Sequence, residues 1–103
     1  MFQIETTEEF DHWLLSLDQR VRIRMIARLA KLARGLWGDC KVVGGGVTEL
    51  REHFGAGYRI YVAQFGQVLI VALGGGSKSA QSKDIERAIA YGALLTPLKK
   101  ETP

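Results

Sequence analysis

The residues best suited to chemistry are Arg51, Arg59 and Lys78. Leu50 and Ile60 each sit between polar or charged neighbours, so alternation turns them toward a core and turns Arg51 and Arg59 the other way. If Leu50 and Ile60 are cross-strand partners, the two arginines are partners as well, and like charges directly opposite each other are destabilising. Three resolutions are open: an anion bound between them, a slipped register, or a solvated face on which Glu49 and Glu52 neutralise both. Lys78 lies in Gly74-Gly75-Gly76-Ser77-Lys78-Ser79, between an apolar run and a helix start. Such a junction aims backbone N–H groups outward and suits a phosphate. It is not a nucleotide-triphosphate loop, because Ser77 rather than glycine precedes the lysine. His53, near a turn and on the Arg51 side of its strand, could move a proton.

A second set of cations, Arg20, Arg24, Arg28 and Lys31, recurs at helical spacing. The plain reading is the solvated side of an amphipathic helix. The alternatives are contact with messenger or ribosomal RNA phosphates, or with acidic residues of a partner. The remaining reactive types are isolated. His12 reads as surface, and Trp13 and Trp37 as packing residues. Cys40 is the single cysteine, so no internal disulfide forms, and with two histidines in the chain no zinc site is expected. Asp84 and Glu86 lack partners for a metal.

The elements that must position these residues follow from periodicity. Phe2 and Ile4 alternate in a short strand, Met1 to Glu5. Thr6 with Glu9 fits a capping box, which predicts a helix carrying Phe10, Trp13, Leu14 and Leu17. A longer helix is expected from Gln19 to Arg34, with Ile26, Leu29, Ala30, Leu32 and Ala33 inward and Gly35 as its stop. The two helices should form an antiparallel hairpin. Strands are expected over Lys41 to Val43, Val47 to His53, Tyr58 to Gln64 and Val68 to Leu73, the last ended by Gly74. A final helix, capped by Ser79 or Ser82, turns Ile85, Ala88 and Ile89 inward and reaches about Leu94. Residues 96–103 read as a loose tail. The order is βααββββα: one α+β domain over residues 1–103, with a mainly antiparallel sheet.

Composition agrees with a small soluble domain. The 103 residues are 47% apolar and 24% charged, and the net charge of +3 favours an acidic partner only weakly. There is no 18-residue apolar run and no signal-like start, so a cytoplasmic protein with no membrane association is expected.

Taken in order, Glu49-Leu50-Arg51, Gly57-Tyr58-Arg59-Ile60-Tyr61, Gly75-Gly76-Ser77-Lys78-Ser79-Ala80-Gln81 and Asp84-Ile85-Glu86-Arg87-Ala88 resemble the RelE/ParE toxin superfamily. The match is nearest to its HigB-like addiction module killer protein group and spans about Phe2 to Tyr91. The resemblance implies a RelE-like fold and a type II toxin silenced by an antitoxin, commonly a helix-turn-helix protein. It implies a metal-free and cofactor-free endoribonuclease, an mRNA interferase acting on mRNA at the ribosome. In that chemistry the ribose 2′-OH attacks the adjacent phosphate, cations stabilise the dianionic transition state, and a general base takes the proton. The family's cation positions fall on Arg51, Arg59 and Lys78. RelE proper has a tyrosine where this chain has Lys83-Asp84-Ile85, which leaves Asp84, Tyr61 or Tyr91 as the base, or a chemistry resting on the cations and ribosomal RNA alone. Glu49 stands where RelE-type toxins carry a further basic residue. Two other functions share the pattern: a ParE-like poison of DNA gyrase, and a non-catalytic module that only binds its antitoxin.

Overall fold

A computed structural model describes residues 1–100. Five strands and three helices follow one another: β1 (Gln3–Thr6), α1 (Glu8–Ser16), α2 (Gln19–Ala33), β2 (Cys40–Gly44), β3 (Val47–Glu52), β4 (Tyr58–Phe65), β5 (Leu69–Ser77) and α3 (Gln81–Lys100). A single 3₁₀ turn, Lys78–Ala80, leads into α3. The strands form one mixed sheet in the order β1-β5-β4-β3-β2, with β1 parallel to β5 and the other pairs antiparallel. This is an α+β fold with the expected element order. None of the described helices is long and apolar enough to cross a membrane.

The sheet is covered on both faces. Leu50, Ile60, Val62, Ile70 and Ala72 pack with Phe10 of α1 and with Met25 and Leu32 of α2. Val47, Tyr61, Ala63, Val71 and Leu73 pack with Ala88 of α3. The central strands β4 and β5 are therefore apolar on both sides, as the unbroken run near Val71 predicts.

Four expectations need correction. The cap of α1 is Thr7, not Thr6: its Oγ1 accepts from Phe10 N at 3.1 Å and lies 3.1 Å from the carbonyl oxygens of both Ala72 and Leu73. One buried hydroxyl thus caps the helix and ties it to the sheet, and Glu9 turns to Arg87 instead of closing a capping box. The inward face of α2 is Val21, Met25, Arg28, Leu29 and Leu32, while Ile26 and Ala30 lie outside. Arg28 sets that rotation. Its guanidinium donates to the carbonyls of Arg51 at 2.9 Å, Trp37 at 2.8 Å and Asp39 at 2.7 Å, and pairs with Glu52.

Gly74-Gly75-Gly76 does not end β5. Tyr61 pairs with Gly74, Ile60 with Gly75 and Arg59 with Gly76. Gly75 and Gly76 are there for close approach, not for turning: a Cβ on Gly75 would collide with the Trp13 ring, and one on Gly76 with the Asp84 carboxylate. Finally, α3 continues past Leu94 through Pro97. Lys99 Nζ reaches Glu5 Oε1 at 2.8 Å, so residues 96–100 are docked helix rather than tail, and the rest of that expected tail lies outside the described residues.

Candidate functional site

Leu50 pairs with Ile60 and Arg51 with Arg59, the register that alternation predicts, and Arg59 pairs in turn with Gly76. A slipped register is excluded. One row therefore crosses the sheet from Gly76 through Arg59 to Arg51, and it continues to Asp39, whose carbonyl accepts from Arg51 N at 3.0 Å. The two like charges are tolerated because each has its own carboxylate. Arg51 Nη2 is 3.2 Å from Asp39 Oδ1, and Arg59 Nε is 3.9 Å from Glu49 Oε2. Glu52, expected to share this work, is turned to Arg28 on the other side of the strand.

The two arginines differ in depth. Arg59 is 5% exposed and Glu49 fully buried, so this pair lies in the interior. Arg59 Nη1 also donates to Gly57 O at 3.2 Å. Arg51 is partly exposed and belongs to a rim cluster, because His53 Nε2 hydrogen-bonds the other oxygen of Asp39. The His53 ring, with the Arg51 charge behind it, holds the Asp39 carboxyl below the usual carboxylate range.

Lys78 comes from the 3₁₀ turn after β5, and its backbone N–H faces Ala56 O at 3.4 Å. It meets Arg59 over Gly57, a residue with φ of +75°. A Cβ there would lie 3.2 Å from Lys78 Cβ and 3.5 Å from Arg59 Nη1. Bare backbone at residue 57 lets the Lys78 stem and the Arg59 guanidinium pack on the same residue. Lys78 is exposed and makes no ion pair among the described residues. The glycine turn expected to cradle a phosphate is not formed, since those residues are strand; the anion-seeking groups on this rim are side chains.

Behind the row lies a buried polar pocket. Gln81 Nε2 donates to Glu49 Oε2 at 2.8 Å. Glu49 Oε1, Tyr61 Oη, Arg59 Nε and Asp84 Oδ2 are buried and have no hydrogen-bond partner among the described residues. Burial, then the charges of Glu49 and Asp84, push the Tyr61 phenol above its ordinary value, so it stays protonated and has no free base form to take a proton. Burial also raises Asp84. Tyr91, on α3, packs against the apolar cluster that holds Val47, Val71 and Leu73.

Arg20, Arg24 and Lys31 are exposed on α2, and Arg24 stacks 3.8 Å over the Phe54 ring. Arg28 is buried and so cannot serve as an RNA contact on that face. An open groove of about 990 Å³ lies between α1, the end of β5 and α3. Glu8, Glu9, Asp11 and Asp84 give its walls an acidic character, with His12 and Arg87 beside them. A phosphate chain would be repelled there, so an anion must reach the row from the Lys78 and Arg51 side. Among the described residues no three His, Cys, Asp or Glu side chains are grouped to hold a metal.

No family model matches the chain. An uncharacterized protein of Haemophilus influenzae strain Rd is 45% identical over 87 residues, which are 84% of this chain and 88% of that protein. The chain belongs to that protein's family. The kinship extends over most of both chains and assigns no activity, so function must be argued from the geometry of this fold.

Two participants escape a reading of the sequence. Asp39 organises both Arg51 and His53, and Gln81 holds the buried Glu49. Asp39 was legible in principle: Cys40 pairs with Leu50, and one more residue on that register falls opposite Arg51. Gln81 carried no signal, because only the docking of α3 brings it to the sheet.

Proposed function

We propose that the chain is a metal-independent endoribonuclease, the toxin of a type II toxin–antitoxin module, cutting messenger RNA at the ribosome in the cytoplasm. The Lys78 stem and the Arg59 guanidinium, packed on the same bare residue Gly57 and in line with Arg51, carry this reading. Lys78, exposed and without an ion pair among the described residues, takes the scissile phosphate first. Arg59 then exchanges its bond to Gly57 O for a phosphate oxygen, with Glu49 fixing the guanidinium plane. His53, held by Asp39, accepts the 2′-OH proton; the 2′-oxygen bonds to phosphorus, the P–O5′ bond breaks, the leaving 5′-oxygen takes a proton from water, and the His53 imidazolium returns its proton to solvent. The products are a 2′,3′-cyclic phosphate and a 5′-hydroxyl end. Arg51 acts through Asp39 as a positioning residue. A helix-turn-helix antitoxin would hold the toxin silent.

A second reading is favoured by one specific observation: both arginines already have carboxylates, as in a folded module with no catalytic duty. Expression of the chain and of its Lys78→Met and His53→Gln forms separates the two. Both positions are exposed, so the variants should fold. The nuclease reading expects growth arrest with new 5′-hydroxyl mRNA ends, and a loss of cleavage of about 10²–10³-fold in Lys78→Met. No arrest leaves the binding module. Arrest with intact transcripts and DNA damage signalling points to gyrase.

A further inference from the structure

Helix α2 carries two apolar stripes, and the fold uses one. Met25 and Leu32 are buried and Val21 and Leu29 half-buried on the sheet side. On the opposite side Ile23 is 58% and Ile26 51% exposed, and Ala27 and Ala30 are exposed with them. Positions 23, 26, 27 and 30 have the i, i+3, i+4, i+7 spacing of a helix-packing stripe. At about 100° per residue, Arg20, Lys31 and Arg24 run along one flank of that stripe and Arg34 sits at its C-terminal end. All four are exposed, and α2 contains no carboxylate between Gln19 and Ala33.

We propose that this outer face of α2 docks an acidic amphipathic helix of a partner protein. The apolar stripe supplies the contact that excludes water, and the cationic flank selects the sign of the partner. Single exposed apolar residues are ordinary, but two β-branched side chains and two alanines aligned on one helix face form a strip. RNA fits less well: it would use the cations and bury nothing against Ile23 and Ile26, and Arg28 is withdrawn from the cationic row into the protein. A second copy fits less well too, because two α2 helices would bring cations together with no carboxylate on either to answer them. The surface lies on the side of α2 away from the sheet and stands independently of the reaction proposed for Arg59 and Lys78.

The test is selection of a helical-peptide display library against the full chain, with recovered peptides measured by fluorescence anisotropy. Recovered sequences should carry apolar residues at i, i+3, i+4 and i+7 flanked by Glu or Asp. Ile26→Glu and the pair Arg24→Glu/Lys31→Glu should each weaken binding about tenfold or more, and salt should weaken it as well. Val42→Glu, at a site 73% exposed on β2, should leave it unchanged. All these sites are exposed, and circular dichroism confirms that each variant is folded. No enriched peptide, enrichment of basic or uncharged peptides, or binding that survives Ile26→Glu overturns the proposal. Self-association lost on Ile26→Glu would assign the face to a second copy, and single-stranded RNA binding lost on Ile26→Glu would assign it to RNA; either overturns it.

Discussion

On one face of the sheet Leu50, Ile60, Val62, Ile70 and Ala72 close against Phe10, Met25 and Leu32, an apolar set with the Arg28–Glu52 pair beside it. The other face is divided. Val47, Ala63, Val71 and Leu73 pack under α3 at one end, while Glu49, Arg59 and Tyr61 lie at the other, with buried polar atoms left unpartnered. The first face can tolerate only shape changes, because its stability comes from apolar area and close packing. The second spends some of that area on groups whose charge is useful only if it is positioned. A small protein can carry such a row because the opposite face is mostly apolar, its buried ion pair being Arg28 with Glu52, and because each arginine of the row has a carboxylate within the fold.

Four changes would break or sharpen this contrast. Arg59→Ala leaves the fully buried Glu49 without its cation and should cost about 3–5 kcal/mol in urea denaturation. Leu50→Ala on the mostly apolar face should cost about 2–5 kcal/mol while leaving the arginine row in place. If Arg59→Ala proves silent, Glu49 is protonated or hydrated in the folded protein and the face is less committed than its geometry implies. Tyr61→Phe removes a hydroxyl with no partner, so stability should change by no more than about 1 kcal/mol, in either direction.

Asp39→Asn should have the smallest effect and a characteristic pH dependence. The Asp39 pKa is lowered in the folded state, so its contribution is present above the unfolded value and is lost as pH falls through the folded one. The stability difference between the two proteins should therefore be full at neutral pH and vanish in acid. No difference at any pH would show that Asp39 acts through its backbone carbonyl, which accepts from Arg28 and Arg51 and which the substitution keeps, rather than through its charge.

The pairing of Arg51 with Arg59 was legible because strand alternation is strict: once Leu50 and Ile60 are inside, their neighbours have no freedom. The rotation of α2 was not. Its apolar residues occupy both sides, so periodicity gives two acceptable faces, and only the acceptors offered to Arg28 by Trp37, Asp39, Arg51 and Glu52 choose between them. The run Gly74 to Gly76 misleads for a related reason. Glycine at a strand end usually means a turn, and here it means that Trp13 and Asp84 press on the backbone from two helices.

From its residue order alone, this chain determines one α+β domain, the order of its elements, the register of its central hairpin and the cations that share a face, since those depend on neighbours along the strand. Tertiary packing decides which carboxylate answers each cation, how deep Arg59 lies beside Lys78, and which side of α2 is left to the solvent. Those outcomes depend on distances between segments far apart in the chain, which no local pattern encodes.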